Sequence, residues 1–111
     1  MTTEIKRQAK PRILLEESAD EFNRLVKRGK APDLSNQNLS DLDLRPFDLS
    51  AVNLSGSYLR RANLSGMDLS NADLRGASIK NAQISGCLFP DNLPAGEISL
   101  SHAFGTRMRA S

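Results

Sequence analysis

The chain has no tryptophan, one tyrosine, four phenylalanines, one cysteine and one histidine in 111 residues. A single cysteine excludes an intramolecular disulfide framework, and beside a single histidine it leaves no zinc-ligand spacing. No run of about 18 apolar residues occurs, so the sequence offers no membrane-spanning helix. Residues 1–12 are polar and basic, without the apolar segment or cleavage site of a secretory signal, and a cytoplasmic location is expected. A strong charge of one sign is also missing. Fifteen Lys+Arg against thirteen Asp+Glu leave +2, too near balance to demand a nucleic-acid or membrane partner. With aromatics at 5%, the core of this one small domain has to be built from something other than rings.

What abounds is leucine, serine, asparagine and aspartate, and the leucines recur every fifth residue. From residue 32 the chain reads PDLSN, QNLSD, LDLRP, FDLSA, VNLSG, SYLRR, ANLSG, MDLSN, ADLRG, ASIKN, AQISG, CLFPD. The third positions are Leu34, Leu39, Leu44, Leu49, Leu54, Leu59, Leu64, Leu69, Leu74, Ile79, Ile84 and Phe89, all apolar. At 39% apolar content, chance gives such a run roughly once in 10⁵ trials.

A period of five suits no straight element. On an α-helix it leaves about 140° beyond a full turn, so the leucines would circle the rod. On a flat strand an odd period sends them to alternate faces. The chain must therefore bend once per pentapeptide. Two residues before each leucine the position is mostly small or apolar: Leu42, Phe47, Val52, Ala62, Met67, Ala72, Ala77, Ala82, Cys87. The residue between is mostly Asp or Asn, and the two that follow are mainly Ser or Arg and then Gly, Asn or Asp. In–out–in predicts a very short strand, and the last two residues have corner chemistry.

Ala62-Asn63-Leu64-Ser65-Gly66 and Ala72-Asp73-Leu74-Arg75-Gly76 follow an A(D/N)LXX pattern, and the array over 32–91 resembles the pentapeptide-repeat proteins. The resemblance implies an all-β solenoid, a right-handed quadrilateral β-helix with about twenty residues per coil. The array then makes about three coils and roughly 15 Å of rod at strand spacing. Pro32 and Gln37 at inward positions predict a distorted first coil, and Leu88-Phe89-Pro90 closes the array atypically. Large inward residues (Leu42, Phe47, Val52, Met67) cluster in the earlier coils and alanines in the later ones, so the core is expected to narrow toward the C-terminus.

So short a rod exposes a leucine layer at each end and needs caps. Ser18-Ala19-Asp20-Glu21 has the form of a capping box, Phe22, Leu25 and Val26 share one face, and Gly29 follows as a stop. A helix over 18–28 is expected across the first coil, with Ile13-Leu14-Leu15 stapling its start. Residues 94–104 read as a second helix with Ile98, Leu100, Ala103 and Phe104 as its apolar content and Gly105 as its stop. The chain beyond, to Arg109, folds back or frays. The domain plan is a basic flexible arm over 1–12, an N-terminal capping helix within 13–30, repeats over 31–91, and a C-terminal capping helix and tail over 92–111.

For catalysis the inventory is poor, and no enzyme, cofactor or metal site is expected. His102 falls on the C-terminal helix, away from the corner serines, so it reads as a helix-end residue. Cys87 occupies an inward position and reads as a small buried hydrophobe. Asp48 and Asp68 stack one coil apart, and they are expected to hydrogen-bond their own corners rather than bind calcium. A binding face is the better prospect. Arg60 falls beneath Lys80 in one outward column, with Arg61 at the corner, Arg75 one repeat before Lys80, and Tyr58 on the same face. A tyrosine among cations on a rigid wall has the composition of a hot spot for an acidic partner.

The leading reading is a non-enzymatic protein-interaction module or small scaffold whose partner is another protein, with no membrane and no nucleic acid involved. Helices at both ends point to a monomer rather than a homodimer. The competing reading comes from the resemblance: some of these proteins imitate duplex DNA and bind and protect type II topoisomerases. Residues 31–90 hold six aspartates against five cations, net −1, and about three coils span less than half of a DNA turn of about 34 Å. Length and charge both disfavour mimicry.

Overall fold

The computed structural model describes residues 19–111. The arm over 1–12, the Ile13-Leu14-Leu15 staple and Ser18 as helix cap lie outside the described residues. From Leu44 to Ile84, each corner is closed by the third-position carbonyl, which accepts the N–H of the residue three further on. Ser57 donates to Leu54 at 3.1 Å, Ala62 to Leu59 at 3.0 Å and Ala77 to Leu74 at 3.1 Å. These are β-turns, and their second central residue is the fifth of the repeat. That residue has positive φ at Gly56, Gly66, Gly76 and Gly86, and also at Asn36, Asp41, Arg61 and Asn81. Glycine enters that region freely, and Asn and Asp tolerate it. A Cβ on Gly56 would also press on the Asn36 side chain, which would have to turn aside.

Successive coils are joined in a constant register. Leu34 N–H reaches Asn53 O at 3.1 Å, Leu54 N–H reaches Asp73 O at 2.9 Å, and Leu59 N–H reaches Ser78 O at 2.8 Å, each nineteen residues on. Return bonds run from Tyr58 N–H to Gln37 O at 2.9 Å and from Ser78 N–H to Ser57 O at 3.0 Å. Parallel bridges accordingly pair Asn38 with Tyr58, Tyr58 with Ser78, and Asn63 with Asp43 and Gln83. One coil is therefore four pentapeptides, and the chain is a repeat solenoid. The anticipated three-residue strands do not form. Among the described residues the pairing is by isolated bridges, because each turn takes up the residues on either side of the outward one.

Ten third positions, from Leu34 through Ile79, are 0–2% exposed. Ile84 and Phe89 are only half-buried, as are the inward residues Pro32, Gln37, Leu42, Met67 and Cys87. The leucine ladder is thus sealed at its first coil and partly open at its last.

Helix α1 (Ala19–Lys27) carries Asp20 and Glu21 in its first turn and Arg24 and Lys27 in its last, charges that complement its dipole. It ends on Gly29 at φ 75. Gly29 N–H bonds Val26 O at 3.0 Å and Lys30 N–H bonds Leu25 O at 2.8 Å, the paired geometry of a Schellman stop. Phe22, 5% exposed, meets Phe47 edge-on with ring centroids 5.4 Å apart. Asn23 anchors the helix to the first coil. Its Oδ1 accepts Asp48 N–H at 2.7 Å and its Nδ2 donates to Pro46 O at 3.1 Å.

Helix α2 (Ala95–Phe104) runs from Pro94 to Gly105, whose φ of 78 places it in the left-handed region. Its buried residue is Ser101. Of its expected apolar content, Ile98 is half-buried against the core, whereas Leu100, Ala103 and Phe104 are exposed. The reason lies in the last rung. With no further coil above, the outer N–H and C=O groups of 76–82 need polar partners, and the C-terminal segment supplies them. Ile79 N–H donates to Ser101 Oγ at 3.0 Å and Asn81 N–H to His102 O at 3.0 Å. Gly76 N–H donates to Met108 O at 2.7 Å, and Met108 N–H to Ala77 O at 2.9 Å. Met108 itself is 1% exposed, so the segment after Gly105 folds back over the ladder. No helix among the described residues is long and apolar enough to cross a membrane.

Candidate functional site

The constant register stacks outward side chains from successive coils. Asn38, Tyr58 and Ser78 form one bridged row, and Arg60 and Lys80 stand beside it two residues on. Phe104 and Gly105, at the end of α2, overhang the same face. Together these residues line a shallow groove of about 560 Å³. Tyr58 is 44% exposed and does not swing freely. The Arg107 guanidinium lies 5.0 Å over its ring, donates to its hydroxyl, and also donates to Gly76 O at 3.1 Å. The C-terminal tail thus clamps the tyrosine against the solenoid. Cation–π stacking and a hydrogen bond act on one ring, which fixes its orientation in advance of any partner.

Of the five residues expected on this face, Tyr58, Arg60 and Lys80 line the groove. Arg61 and Arg75 are engaged elsewhere. Arg61 Nε donates to Asp41 Oδ1 at 2.6 Å, one coil away. Arg75 grips Asp73 with Nε at 3.0 Å and Nη2 at 2.7 Å. Arg45 holds Asp43 the same way, at 2.9 and 2.8 Å, and Arg109 holds Glu97 at 2.9 Å. Arg60 and Lys80 have no ion pair among the described residues, and the Arg60 charge acts on Asp41 only from a distance. Arg107 is not legible from the period, because nothing in the repeat pattern reaches a residue beyond α2. The available signal was the basic Arg107-Met108-Arg109 run behind the Gly105 stop.

The paired carboxylates respond accordingly. The Arg45 guanidinium holds Asp43 at about 2, below the ordinary 3.8. Arg61, Arg75 and Arg109 likewise lower Asp41, Asp73 and Glu97 through side-chain hydrogen bonds. A folded-state value below the unfolded one gives stabilisation that is complete above the unfolded value and fades as the pH falls through the folded one. Melting temperature is therefore expected to decline between about pH 4 and pH 2. Asp43→Asn should flatten part of that decline when melts are recorded across the range. The pairs are exposed, so the effect is modest.

The remaining chemistry-bearing groups serve the backbone. Asp48 and Asp68 each accept the N–H and the hydroxyl of their corner serines, Ser50 and Ser70, with the hydroxyls at 2.6 Å. Cys87 is half-buried, and burial followed by the nearby Asp68 charge pushes its thiol up to about 11, which keeps it protonated. His102 Nε2–H donates to Ala82 O at 2.9 Å, closing another end of the ladder. Among the described residues no three of His, Cys, Asp and Glu gather as a metal site.

A family model described as pentapeptide repeats, in 8 copies, matches residues 33–66 and 53–89, together just over half of the chain. No curated protein and no solved structure matches it. The five-residue leucine ladder, the twenty-residue register and this match agree, and the chain belongs to the pentapeptide-repeat family.

Proposed function

We propose that the chain is a non-enzymatic protein-interaction module. Its scaffold is a right-handed quadrilateral β-helix of about three coils, kept monomeric by a helix at each end; it acts in the cytoplasm, and its working face is the Tyr58, Arg60 and Lys80 groove. Members of the family are generally non-enzymatic, which supports the coarse reading. One observation carries the finer one. In the repeats, Arg45, Arg61 and Arg75 are each neutralised by an aspartate, whereas Arg60 and Lys80 flank the clamped tyrosine without an ion pair among the described residues. Cations left unpaired beside a preset aromatic suit an acidic protein surface. The same pairing weakens the DNA-mimic reading, because Asp41, Asp43 and Asp73 spend their charge within the molecule.

Charge reversal tests this directly. Chemical cross-linking of the native chain in its source lysate should yield a partner complex, and Arg60→Glu with Lys80→Glu should abolish it. The melting temperature of the double variant should stay nearly unchanged, since both head groups lie outside the core. Undiminished capture by the variant would dispose of the proposal.

A further inference from the structure

The groove has an apolar edge that the basic reading alone does not use. Leu100 and Phe104 lie one turn apart on α2 and are 45% and 71% exposed. Ser101, not they, faces the solenoid, so this flank of the helix is unpartnered among the described residues. Phe104 lines the groove together with Tyr58, Arg60 and Lys80. The Lys80 stem runs along Gly105, with its Cδ about 3.3 Å from where a Cβ on that glycine would lie. Phe104 and two cations therefore face one shallow groove, and Leu100 lies one turn back on the helix, outside the groove lining.

We infer, resting on the interaction reading above, that this groove takes an acidic amphipathic segment of a partner protein. An aliphatic or aromatic anchor of that segment would pack against Phe104 and Leu100, and its carboxylates would meet Arg60 and Lys80. Charge complementarity selects the sign, since the repeat-borne carboxylates at 41, 43 and 73 are already paired and repel nothing further from the groove. The aliphatic Leu100 beside the ring favours a peptide anchor over a nucleic-acid base, which would stack on Phe104 but gain little from Leu100. Phe104, Arg60 and Lys80 line one groove instead of a broad apolar face edged with charge, which favours a peptide over a bilayer.

The test uses the full chain and three probes in fluorescence anisotropy. These are a synthetic helix with Leu and Phe one turn apart and glutamates on its other flank, the same helix with glutamine for glutamate, and a polyglutamate of equal charge. The acidic amphipathic helix should bind best, and Arg60→Glu with Lys80→Glu should weaken it at least about tenfold. Phe104→Ser should weaken it roughly tenfold while leaving polyglutamate binding unchanged. Phe104 is 71% exposed, so a melt should show the serine variant folded. If polyglutamate binds equally well and Phe104→Ser changes nothing while the charge reversal still abolishes binding, the amphipathic inference fails and the basic-face reading stands. If no probe responds to the charge reversal, both fail. Phe104-dependent binding to phosphatidylserine vesicles that outcompetes the helix would overturn the inference in favour of a membrane surface.

Discussion

Replacing Leu59 by alanine is expected to cost about 3–4 kcal/mol in urea unfolding. Leu59 is 0% exposed and stands between Leu39 and Ile79, one coil below and one above, both also 0% exposed. Its removal leaves a cavity that the structure cannot easily close. The coil is held to its neighbours by Leu39 N–H to Tyr58 O and Leu59 N–H to Ser78 O, both at 2.8 Å, so collapse would have to break the register. Transfer and cavity terms then add. Ile84→Ala is the natural comparison. Ile84 lies in the partly open last coil and is half-buried, so its truncation should cost nearer about 1 kcal/mol. Equal losses at the two positions would contradict a ladder sealed in the middle and open at its C-terminal end.

Ser101→Ala is expected to cost about 2 kcal/mol, although alanine is the better helix former. Ser101 is 0% exposed, and its hydroxyl is the acceptor for Ile79 N–H. In the lower coils the equivalent N–H finds a carbonyl nineteen residues on, as Leu59 finds Ser78. At the last coil no such carbonyl is placed to serve, and alanine would leave a buried donor unsatisfied. Ser99→Ala serves as the control. Ser99 is exposed on the same helix, and its change should fall within about 0.5 kcal/mol. Hydrogen exchange should report the same event locally, as loss of protection at the Ile79 amide in Ser101→Ala. Unchanged stability and protection would mean that α2 is held by something other than this bond.

These two positions mark what the sequence makes legible and what it hides. Leu59 is visible because a repeated period isolates it: each leucine has the same job, and repetition turns weak local preference into a pattern. The row of Tyr58, Arg60 and Lys80 is legible for the same reason, since a fixed register converts a difference of twenty residues into a neighbour. Ser101, Asn23 and Met108 act once, at the ends, where no period exists. A helix with Leu100 and Phe104 invites the expectation that its apolar side faces in. The rung beneath it offers unpaired N–H groups instead, and the buried contact goes to a serine. Arg61 and Arg75 were drawn away from the face by short-range chemistry the column arithmetic does not contain: a bond to Asp41 one coil away, and a pairing with Asp73 two residues back. Arg107 was reached by no periodicity at all.

Both readings of the basic face rest on Arg60 lying directly beneath Lys80, and cysteine cross-linking measures that placement most directly. Adjacent coils separated by about 4.8 Å bring equivalent Cα atoms within disulfide range. In a Cys87→Ser background, oxidised Arg60→Cys with Lys80→Cys should form an intramolecular disulfide, seen as faster migration that dithiothreitol reverses. Arg60→Cys with Arg75→Cys, on neighbouring faces, should remain reduced. A disulfide in the second pair and none in the first would contradict the twenty-residue coil and the binding face built on it.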